Sequence, residues 1–215
     1  MLELGIKSLL AYLLGSVIGS LLVGLLRGGV DIRTMGSGNA GGTNALRTQG
    51  LWFALWVMVI DIGKGWLATA VLPRMQLAWI PLDPAIDRTW LAVACACGVV
   101  LGHVYPVWHG FRGGKGAATL IGVVIGLKSA AVLPLLLLWL LILVLTGFVG
   151  LATMLAVACF PIYLLLSEDS SAALLGFGCA MALFVCYTHR LNIQRMRSGT
   201  ENRVQRLWLF RPRMR

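Results

Sequence analysis

The sequence predicts an all-α integral membrane protein, a polytopic bundle of about seven transmembrane helices. Of its 215 residues, 59% are hydrophobic and only 12% are charged, which lies outside the composition of soluble domains. Apolar segments of near-spanning length recur along the chain, at 4 to 26, 51 to 73, 89 to 109, 116 to 131, 132 to 147, 149 to 166 and 171 to 188. The chain is predicted to form a single transmembrane domain, 1–215, with a basic tail at 196–215.

Two of these segments need justification. The first is predicted to be a retained span, because Arg27 and two glycines follow it where a signal peptide would have a small-residue cleavage site. The boundary between the fourth and fifth helices rests mainly on Lys128 and Pro134, so a count of five or six helices remains an alternative. Small residues spaced four apart, such as Gly15 and Gly19, are assigned to helix packing.

Basic residues predict the orientation of the spans. The segment 189 to 215 contains eight arginines and one acid, Glu201, which favours a cytoplasmic C-terminus. With seven spans the N-terminus then lies outside, and the loops at 27 to 50 and 110 to 116 lie on the cytoplasmic side. The loop between Ser167 and Ser171, which carries Glu168 and Asp169, has no cation and is predicted to lie outside.

A first polar cluster runs from Ser37 to Arg47 and is rich in glycine, asparagine, serine and threonine. Hydroxyls, amides and glycine backbone provide many hydrogen-bond donors for an anion, and the planar guanidinium of Arg47 suits a phosphate. The alternative is an ordinary polar turn between two spans. The length of the cluster favours the anion site, because a plain turn does not need so long a polar segment.

A second cluster, HVYPVWHGFRGGKGAAT from His103 to Thr119, interrupts a largely apolar chain. Such backbone cannot face lipid and must line water, protein or a ligand. Gly113 and Gly114 are predicted to present their N–H groups to an anion, beside Lys115 and the start of a helix near Gly116. The segment does not match the Walker pattern. The alternative is a glycine-rich turn whose cations only set the orientation.

A third cluster, which consists of His189, Asn192, Arg195, Gly199 and Glu201, lies at the end of the last span. Its first three members follow one another at i, i+3 and i+6. This spacing places the three side chains roughly on one helical face. The arginines between 203 and 215 are predicted to contact anionic lipid headgroups instead. This far tail is therefore not assigned to the site.

Ionisable residues also occur within the apolar segments. Asp61 and Lys64 are spaced i, i+3 in the second span, which favours a structural ion pair over a proton or substrate relay. His103, at the end of the third span, is as well explained by a structural hydrogen bond as by a catalytic base.

Taken in order, the segments SGNAGGTNALR, DIGKG, GHVYPVWHGFRGGKG and HRLNIQRMRSGTE resemble the bacterial glycerol-3-phosphate acyltransferases that use acyl phosphate as donor. The resemblance covers nearly the whole chain, and one departure is Gly42, where the family usually has alanine. It implies a multi-pass inner-membrane enzyme that makes lysophosphatidic acid from acyl phosphate and sn-glycerol 3-phosphate. It also implies a site facing the cytoplasm, with no cofactor and no acyl-CoA or acyl-carrier-protein donor.

Matching motif positions carries over Ser37, Asn39, Thr43, Asn44 and Arg47 from the first motif, Lys115 and its glycines from the second, and His189, Asn192 and Arg195 from the third, and their individual roles are inferred from chemistry. The inferred catalytic residues are Lys115, His189 and Ser37. The inferred substrate-binding residues are Asn39, Thr43, Asn44, Arg47, His103, Arg112, Gly113, Gly114, Gly116, Asn192 and Arg195. The expected partners are the two substrates and membrane lipid, with room for a transient contact with the enzyme that makes acyl phosphate. No nucleic-acid partner is expected.

The chemistry of the donor suggests a mechanism. Acyl phosphate is an activated mixed anhydride, so positioning can supply most of the rate without a covalent nucleophile. Lys115 and the adjacent glycine backbone are predicted to hold the acyl phosphate. Glycerol 3-phosphate is assigned to a set of four residues, Ser37, Arg47, Asn192 and Arg195. The hydroxyl proton goes to His103, to His189 or to the departing phosphate, and the last of these is favoured.

Two absences in the sequence narrow the class of enzyme. No histidine begins the pattern HxxxxD that is typical of acyltransferases using acyl-CoA or acyl carrier protein. The predicted cytoplasmic loops offer only Asp31 and Glu201 as carboxylates, so metal-independent transfer is expected. The alternative function is a transporter or channel for a small phosphate-containing anion. It is disfavoured because the polar clusters are predicted to crowd on one face and no internal repeat is visible.

Overall fold

The computed structural model describes residues 1–168 and 171–210, which form helices and connecting turns without a β-strand among them. In chain order the helices are α1 (Leu2–Gly15), α2 (Gly19–Leu26), α3 (Gly42–Gln49), α4 (Leu51–Trp66), α5 (Arg88–Val104), α6 (Ala117–Lys128), α7 (Val132–Thr146), α8 (Val149–Leu165), α9 (Ala172–Thr188) and α10 (Arg190–Arg197). The chain divides into two compact units, Met1–Ser129 and Ala130–Arg215. Asp169 of the predicted outer loop, and the end of the predicted basic tail at 211–215, lie outside the described residues.

The predicted membrane helices are confirmed, but their number is not. Among the described residues, three helical segments are long and apolar enough to cross a membrane, namely Leu51–Arg74, Arg88–His109 and Ala117–Thr146. The count rises to five if two bent pairs, α1 with α2 and α9 with α10, each form one span. Helix α8 is apolar but shorter.

The predicted boundary between the fourth and fifth spans is not a break in the helix. Ala117–Thr146 forms one helical run of 30 residues, in which Ser129–Ala131 is a single 3₁₀ turn. Pro134 lies in the first turn of α7, where the N–H group that proline lacks would have no intrahelical acceptor. The proline is therefore compatible with the first turn of α7, which follows the 3₁₀ turn without a loop.

The first apolar segment, in contrast, is broken. Helices α1 and α2 are bent by 48° where Gly15 ends one and Gly19 begins the other. Helix ends leave backbone groups unpaired, and here α4 supplies their partners. Lys64 Nζ donates to Gly15 O at 2.9 Å and to Val17 O at 2.7 Å, and Asp61 Oδ1 accepts from the Gly19 N–H at 3.1 Å. The predicted pairing of Asp61 with Lys64 is confirmed at 2.8 Å.

Glycines allow the helices of the first unit to approach closely. A Cβ atom at Gly15 would collide with the Val99 carbonyl on α5, and one at Gly122 would collide with the Ile62 carbonyl on α4. These are backbone contacts that no side-chain movement could relieve. The predicted packing role of the small residues on the first and fourth spans is confirmed at these positions.

A second buried ionic group, which the sequence reading missed, lies at the start of α1. Glu3 and Lys7 are each 1% exposed and pair at 2.8 Å, and Arg88 Nη1 lies 2.6 Å from Glu3 Oε1. Lys7 also donates to Pro73 O at 2.9 Å, and the Asp83 N–H donates to Glu3 Oε2 at 2.9 Å. Glu3, Lys7 and Arg88 are called the N-terminal cluster below. The i, i+4 spacing of Glu3 and Lys7 is the sequence pattern from which this ion pair could have been predicted.

In the second unit the tail folds back onto the turn between α7 and α8. The Val204 N–H donates to Gly147 O at 2.9 Å, and the Leu209 N–H donates to Val144 O at 2.9 Å. The Arg203 guanidinium stacks 4.4 Å from the Phe148 ring centre and 3.9 Å from that of Trp208. The predicted contact of Arg203 with lipid headgroups is therefore not supported, because cation–π stacking on protein rings engages its charge.

Candidate active site

The loop of the first motif is shaped by a buried asparagine. Asn44 on α3 is 1% exposed, and its Oδ1 accepts from the Ser37 N–H at 2.9 Å. Its Nδ2 donates to Ile32 O at 2.9 Å and to Met35 O at 3.0 Å. Because the amide is engaged by backbone, Asn44 acts as a clamp for the loop. Its predicted direct role in substrate binding is not supported.

The other polar residues of this motif are more accessible. Thr43 and Arg47 are exposed on α3, whereas Ser37 and Asn39 are half-buried in the preceding loop. In the described parts of the chain, no acidic side chain forms an ion pair with Arg47. Its guanidinium therefore has the accessibility that an anion-binding group requires.

Arg33 joins the first motif to the second, a role that the sequence reading missed. Its Nη1 donates to His109 O at 3.2 Å and to Arg112 O at 2.9 Å, so it holds the second loop from the first. Asp31 pairs with Arg33 at 2.7 Å, and this contact lowers the pKa of the Asp31 carboxyl. The structure thus brings the first and second motifs together within one unit.

The glycine loop of the second motif differs from its prediction. The Gly113 N–H donates to Val104 O at 3.1 Å, and the Gly114 N–H donates to His103 O at 3.0 Å. Both groups satisfy carbonyls at the end of α5, so the prediction that they cradle an anion is wrong. Sequence patterns do not reveal which backbone donors a tertiary contact will use.

The anion-binding elements that remain here are Lys115 and the start of α6. Gly116 has φ +90°, a left-handed conformation that glycine adopts without strain, and no side chain in the described part of the chain caps the helix that follows. Helix N-termini attract anions through their unpaired N–H groups. Lys115, half-buried, directly precedes this turn, and Arg112 is exposed in the loop.

His103 lies behind the glycine loop and is 2% exposed. Its Nδ1 is 2.9 Å from Lys64 Nζ and 3.4 Å from Asp61 Oδ1. A lysine ammonium has only donors, so a hydrogen bond from Lys64 to Nδ1 requires this nitrogen to be unprotonated and places the proton of a neutral His103 on Nε2. A Cβ atom at Gly114 would collide with this ring. Asp61, Lys64 and His103 are called the break cluster below, after the break in the first span.

The third motif lies in the second unit, in which His189 ends α9. His189 Nδ1 is 2.9 Å from Val185 O, and a carbonyl only accepts, so this nitrogen carries the proton. Asn192 Nδ2 donates to Glu201 Oε1 at 2.7 Å, and Arg195 Nε donates to Glu201 Oε2 at 2.6 Å. Glu201 therefore links two predicted substrate-binding residues. The sequence reading gave it no role.

Known proteins resemble this chain over most of its length. The model of the family described as glycerol-3-phosphate acyltransferase matches residues 6–199. A protein of Chlorobium limicola named glycerol-3-phosphate acyltransferase is 37% identical, over 90% of this chain and 93% of its own. One of Chlorobaculum tepidum with the same name is also 37% identical, with the same coverage.

Solved structures agree with this. The chain is similar to the crystal structure of PlsY (YgiH), an integral membrane glycerol 3-phosphate acyltransferase, in its glycerol 3-phosphate form. The TM-score is 0.79 and the identity 31%, over 93% of this chain and 94% of that one. The lysophosphatidic acid form of PlsY gives a TM-score of 0.77 at 30% identity, with the same coverage. This chain belongs to the glycerol-3-phosphate acyltransferase family.

Proposed function

We propose that this protein transfers the acyl group of acyl phosphate to the 1-hydroxyl of sn-glycerol 3-phosphate, giving lysophosphatidic acid and phosphate. The observation that carries the proposal is the similarity to one solved enzyme in two forms, with glycerol 3-phosphate and with lysophosphatidic acid. The second molecule is the first with an acyl chain on a hydroxyl oxygen. The two are therefore the acceptor and the product of a single acyl transfer.

Acyl phosphate is the donor that best fits the side chains. Transfer from it needs cations for its phosphate group and no covalent nucleophile, because the anhydride is already activated. Lys115 and the first turn of α6 would hold that phosphate, and the Lys115 ammonium would stabilise charge that develops on the acyl oxygen. The helix N-terminus thus replaces the glycine N–H groups as the source of backbone donors.

The acceptor would be bound partly by the first motif. Arg47 offers an exposed guanidinium that can grip a phosphate with two hydrogen bonds, and Ser37 and Asn39 are within the same loop. Asn44 and Arg33 contribute indirectly, because they hold the loop through backbone hydrogen bonds. Thr43, on the exposed first turn of α3, is kept as a substrate-binding residue.

In the second unit, Asn192 and Arg195 are kept as phosphate-binding residues. Glu201 accepts one hydrogen bond from each, which fixes the two side chains relative to one another. An arginine has five N–H donors, so the bond from Nε leaves four that a phosphate can use.

The hydroxyl proton would go to the departing phosphate, which leaves the acyl carbon as an anion and can accept a proton. His103 is a poor base, because Lys64 occupies its Nδ1 and the proton lies on Nε2. His189 has the opposite tautomer, with its lone pair on Nε2, and is proposed as a positioning aid. Replacing His189 with glutamine is expected to leave measurable acyl transfer at saturating substrate, whereas a required base would abolish it.

The enzyme is proposed to lie in the bacterial inner membrane with its site facing the cytoplasm and to need no metal. Asp31 and Glu201, the carboxylates of the predicted cytoplasmic loops, already pair with arginines. Cysteines placed at Ser37, Arg112 and Ser198 should react with an impermeant maleimide from the cytoplasmic side of inverted vesicles. Labelling of any of them from the opposite side would overturn the orientation.

In the decisive experiment, purified protein in detergent is incubated with acyl phosphate, labelled glycerol 3-phosphate and excess EDTA. Lysophosphatidate should form, and acyl-CoA or acyl carrier protein should not replace the donor. Lys115→Ala should lower kcat/KM by roughly 10²- to 10³-fold, as loss of a group that stabilises developing charge does. Lys128→Ala, at the other end of α6, should stay within about twofold.

The same preparation separates the proposal from its rival. A wild-type protein that forms no lysophosphatidate, yet carries labelled phosphate or glycerol 3-phosphate into liposomes, would be a transporter. Equal loss in the two lysine variants would remove Lys115 from the site.

A further inference from the structure

Asp61 and Lys64 do more than neutralise each other inside a span. Lys64 Nζ lies within 2.9 Å of Gly15 O, Val17 O and the Nδ1 atom of His103. The ammonium therefore connects the break in the first span to a histidine on α5. Its own charge is balanced by Asp61, 2.8 Å away.

We propose that Asp61 and Lys64 are positioning residues of the acyl-transfer site. They hold His103 in the tautomer with its proton on Nε2, and so hold the ring edge against the glycine loop that carries Lys115. The proposal rests on the proposed function, because it assigns these residues an effect on the same reaction. Neither residue needs to touch a substrate.

The contact between His103 and the loop is made by both backbone and ring. The His103 carbonyl accepts a hydrogen bond from the Gly114 N–H at 3.0 Å. A Cβ atom on Gly114 would meet Nε2, Cε1 and Cδ2 of the ring, so the ring edge occupies the space that a side chain would fill. Lys115 follows Gly114 directly. A change in the ring position is therefore passed to the lysine through one peptide bond.

Burial makes the tautomer depend on Lys64. His103 is 2% exposed and Lys64 is 3% exposed, so water does not compete readily for Nδ1. Without the ammonium, Nδ1 would be left facing Asp61 Oδ1, 3.4 Å away, which only accepts. Moving the proton to Nδ1 would then make a hydrogen bond to Asp61 and remove the donor from Nε2. While Lys64 donates to Nδ1, it thus disfavours the other tautomer.

An unpaired atom sets this cluster apart from an ordinary structural ion pair. Asp61 Oδ2 is buried without a hydrogen-bond partner in the described parts of the chain, and so is Thr119 Oγ1 in the first turn of α6. Native proteins keep few such groups, and catalytic sites are among the places where they persist. In the N-terminal cluster both oxygens of Glu3 are hydrogen-bonded.

The test is ¹⁵N NMR of protein labelled at its histidines, of which the chain has three. The His103 signals, assigned by their loss in His103→Gln, should show an unprotonated Nδ1 and a protonated Nε2 in the wild type. The double variant Asp61→Asn, Lys64→Met removes both charges, and the asparagine can still accept from the Gly19 N–H. Here the Nε2-protonated signature should be lost or mixed.

The matched control is Glu3→Gln, Lys7→Met in the N-terminal cluster, which should keep the wild-type His103 signature. In the acyl-transfer assay the Asp61, Lys64 double variant should lose roughly tenfold or more in kcat, because misplacement of a catalytic group slows the reaction after binding. The control variant should keep its kcat, even if the two doubles melt at the same temperature.

Each outcome of the NMR and kcat measurements either supports or overturns the proposal. A wild-type His103 protonated on Nδ1 overturns the proposal without any variant, so a double variant that fails to fold does not protect it. An unchanged signature or an unchanged kcat in the folded Asp61, Lys64 double variant also overturns it. A wild type that makes no lysophosphatidate counts against the proposed function instead, and the tautomer measurement still stands.

Discussion

Two buried ionic clusters lie in the first unit, and they differ in what they touch. In the N-terminal cluster both oxygens of Glu3 are hydrogen-bonded, and the other partners of the cluster are Pro73 O and the backbone of Asp83. The break cluster touches the kinked first span on one side and the glycine loop, through His103, on the other. Similar charges at similar burial thus serve different segments of the chain.

The difference shows that burial of an ion pair does not by itself indicate function. Both pairs are helical Glu/Asp–Lys neighbours, and desolvation opposes both. What separates them is a second cation near Glu3, absent near Asp61 in the described part of the chain, and the unpaired Oδ2 of Asp61. The N-terminal cluster satisfies both oxygens of its acid, whereas the break cluster leaves one unsatisfied and contacts, through His103, the loop that carries Lys115, the proposed catalytic lysine.

The largest expected effect comes from removing one lysine from each cluster. Lys64→Met leaves the buried Asp61 carboxylate without its lysine partner. This change should cost about 3–5 kcal/mol of unfolding free energy. Lys7→Met leaves Arg88 paired with Glu3, 2.6 Å away, and should cost only about 1–3 kcal/mol. Denaturant titration in mixed micelles measures both. Equal losses would remove the energetic distinction between the clusters.

A methyl group added beside each cluster should give the next largest difference, which is a difference in kcat/KM between the two variants. Gly114→Ala would place a Cβ atom against the His103 ring and should lower kcat/KM by roughly 10²-fold through displacement of Lys115. A Cβ atom at Gly5, near the N-terminal cluster, would meet nothing within 4 Å. Gly5→Ala should therefore leave the rate unchanged. A Gly114→Ala variant that keeps the wild-type kcat/KM would show that the position of the glycine loop does not affect the reaction.

Two buried threonines, Thr69 and Thr119, test whether the Thr119 hydroxyl lacks a hydrogen-bond partner. Thr69 Oγ1 donates to Gly65 O at 2.9 Å, so Thr69→Val should cost about 1 kcal/mol of stability. Thr119 Oγ1 has no partner in the described segments, so Thr119→Val should leave thermal stability equal or slightly higher. Stability loss in the Thr119 variant would show that its hydroxyl is engaged after all.

The smallest effect is expected at the half-exposed Asp31–Arg33 pair that links the two loops. Asp31→Asn should cost under about 1 kcal/mol, because solvent screens the charges. The pKa of Asp31 is lowered below its ordinary value of 3.8, so its stabilising effect is present above that pH and is lost as the pH falls through the lower value. Thermal stability of wild type and Asp31→Asn should therefore differ by a constant amount between about pH 5 and 8. A difference that disappears near pH 6 would contradict this assignment.

Much of the fold could be predicted from local patterns. Apolar length identified the membrane helices, and glycine spacing identified the close helix contacts at Gly15 and Gly122. The count of seven spans is not confirmed at Ala117–Thr146, because a 3₁₀ turn lies where a break was expected and hydropathy does not distinguish one long helix from two short ones. Motif matching proposes the site residues but not the contacts that each of them makes.

The remaining features depend on tertiary contacts. Lys64 and His103 are 39 residues apart, and no spacing rule connects them. The Gly113 and Gly114 N–H groups were assigned to a ligand because their acceptors on α5 could not be known. Asn44 was assigned to substrate for the same reason, since its amide is engaged by the backbone of its own loop. Sequence shows which groups are available, and folding decides which are already used.

The most direct test of the central claim is a double-mutant cycle between Lys64 and His103, read as kcat/KM for acyl transfer in the variants Lys64→Met, His103→Gln and both together. If Lys64 acts through His103, its replacement should cost little once His103 is gone, so the fold-losses will not multiply. Losses that multiply would mean that the two residues act independently, and the break cluster would then be a structural brace like the N-terminal cluster.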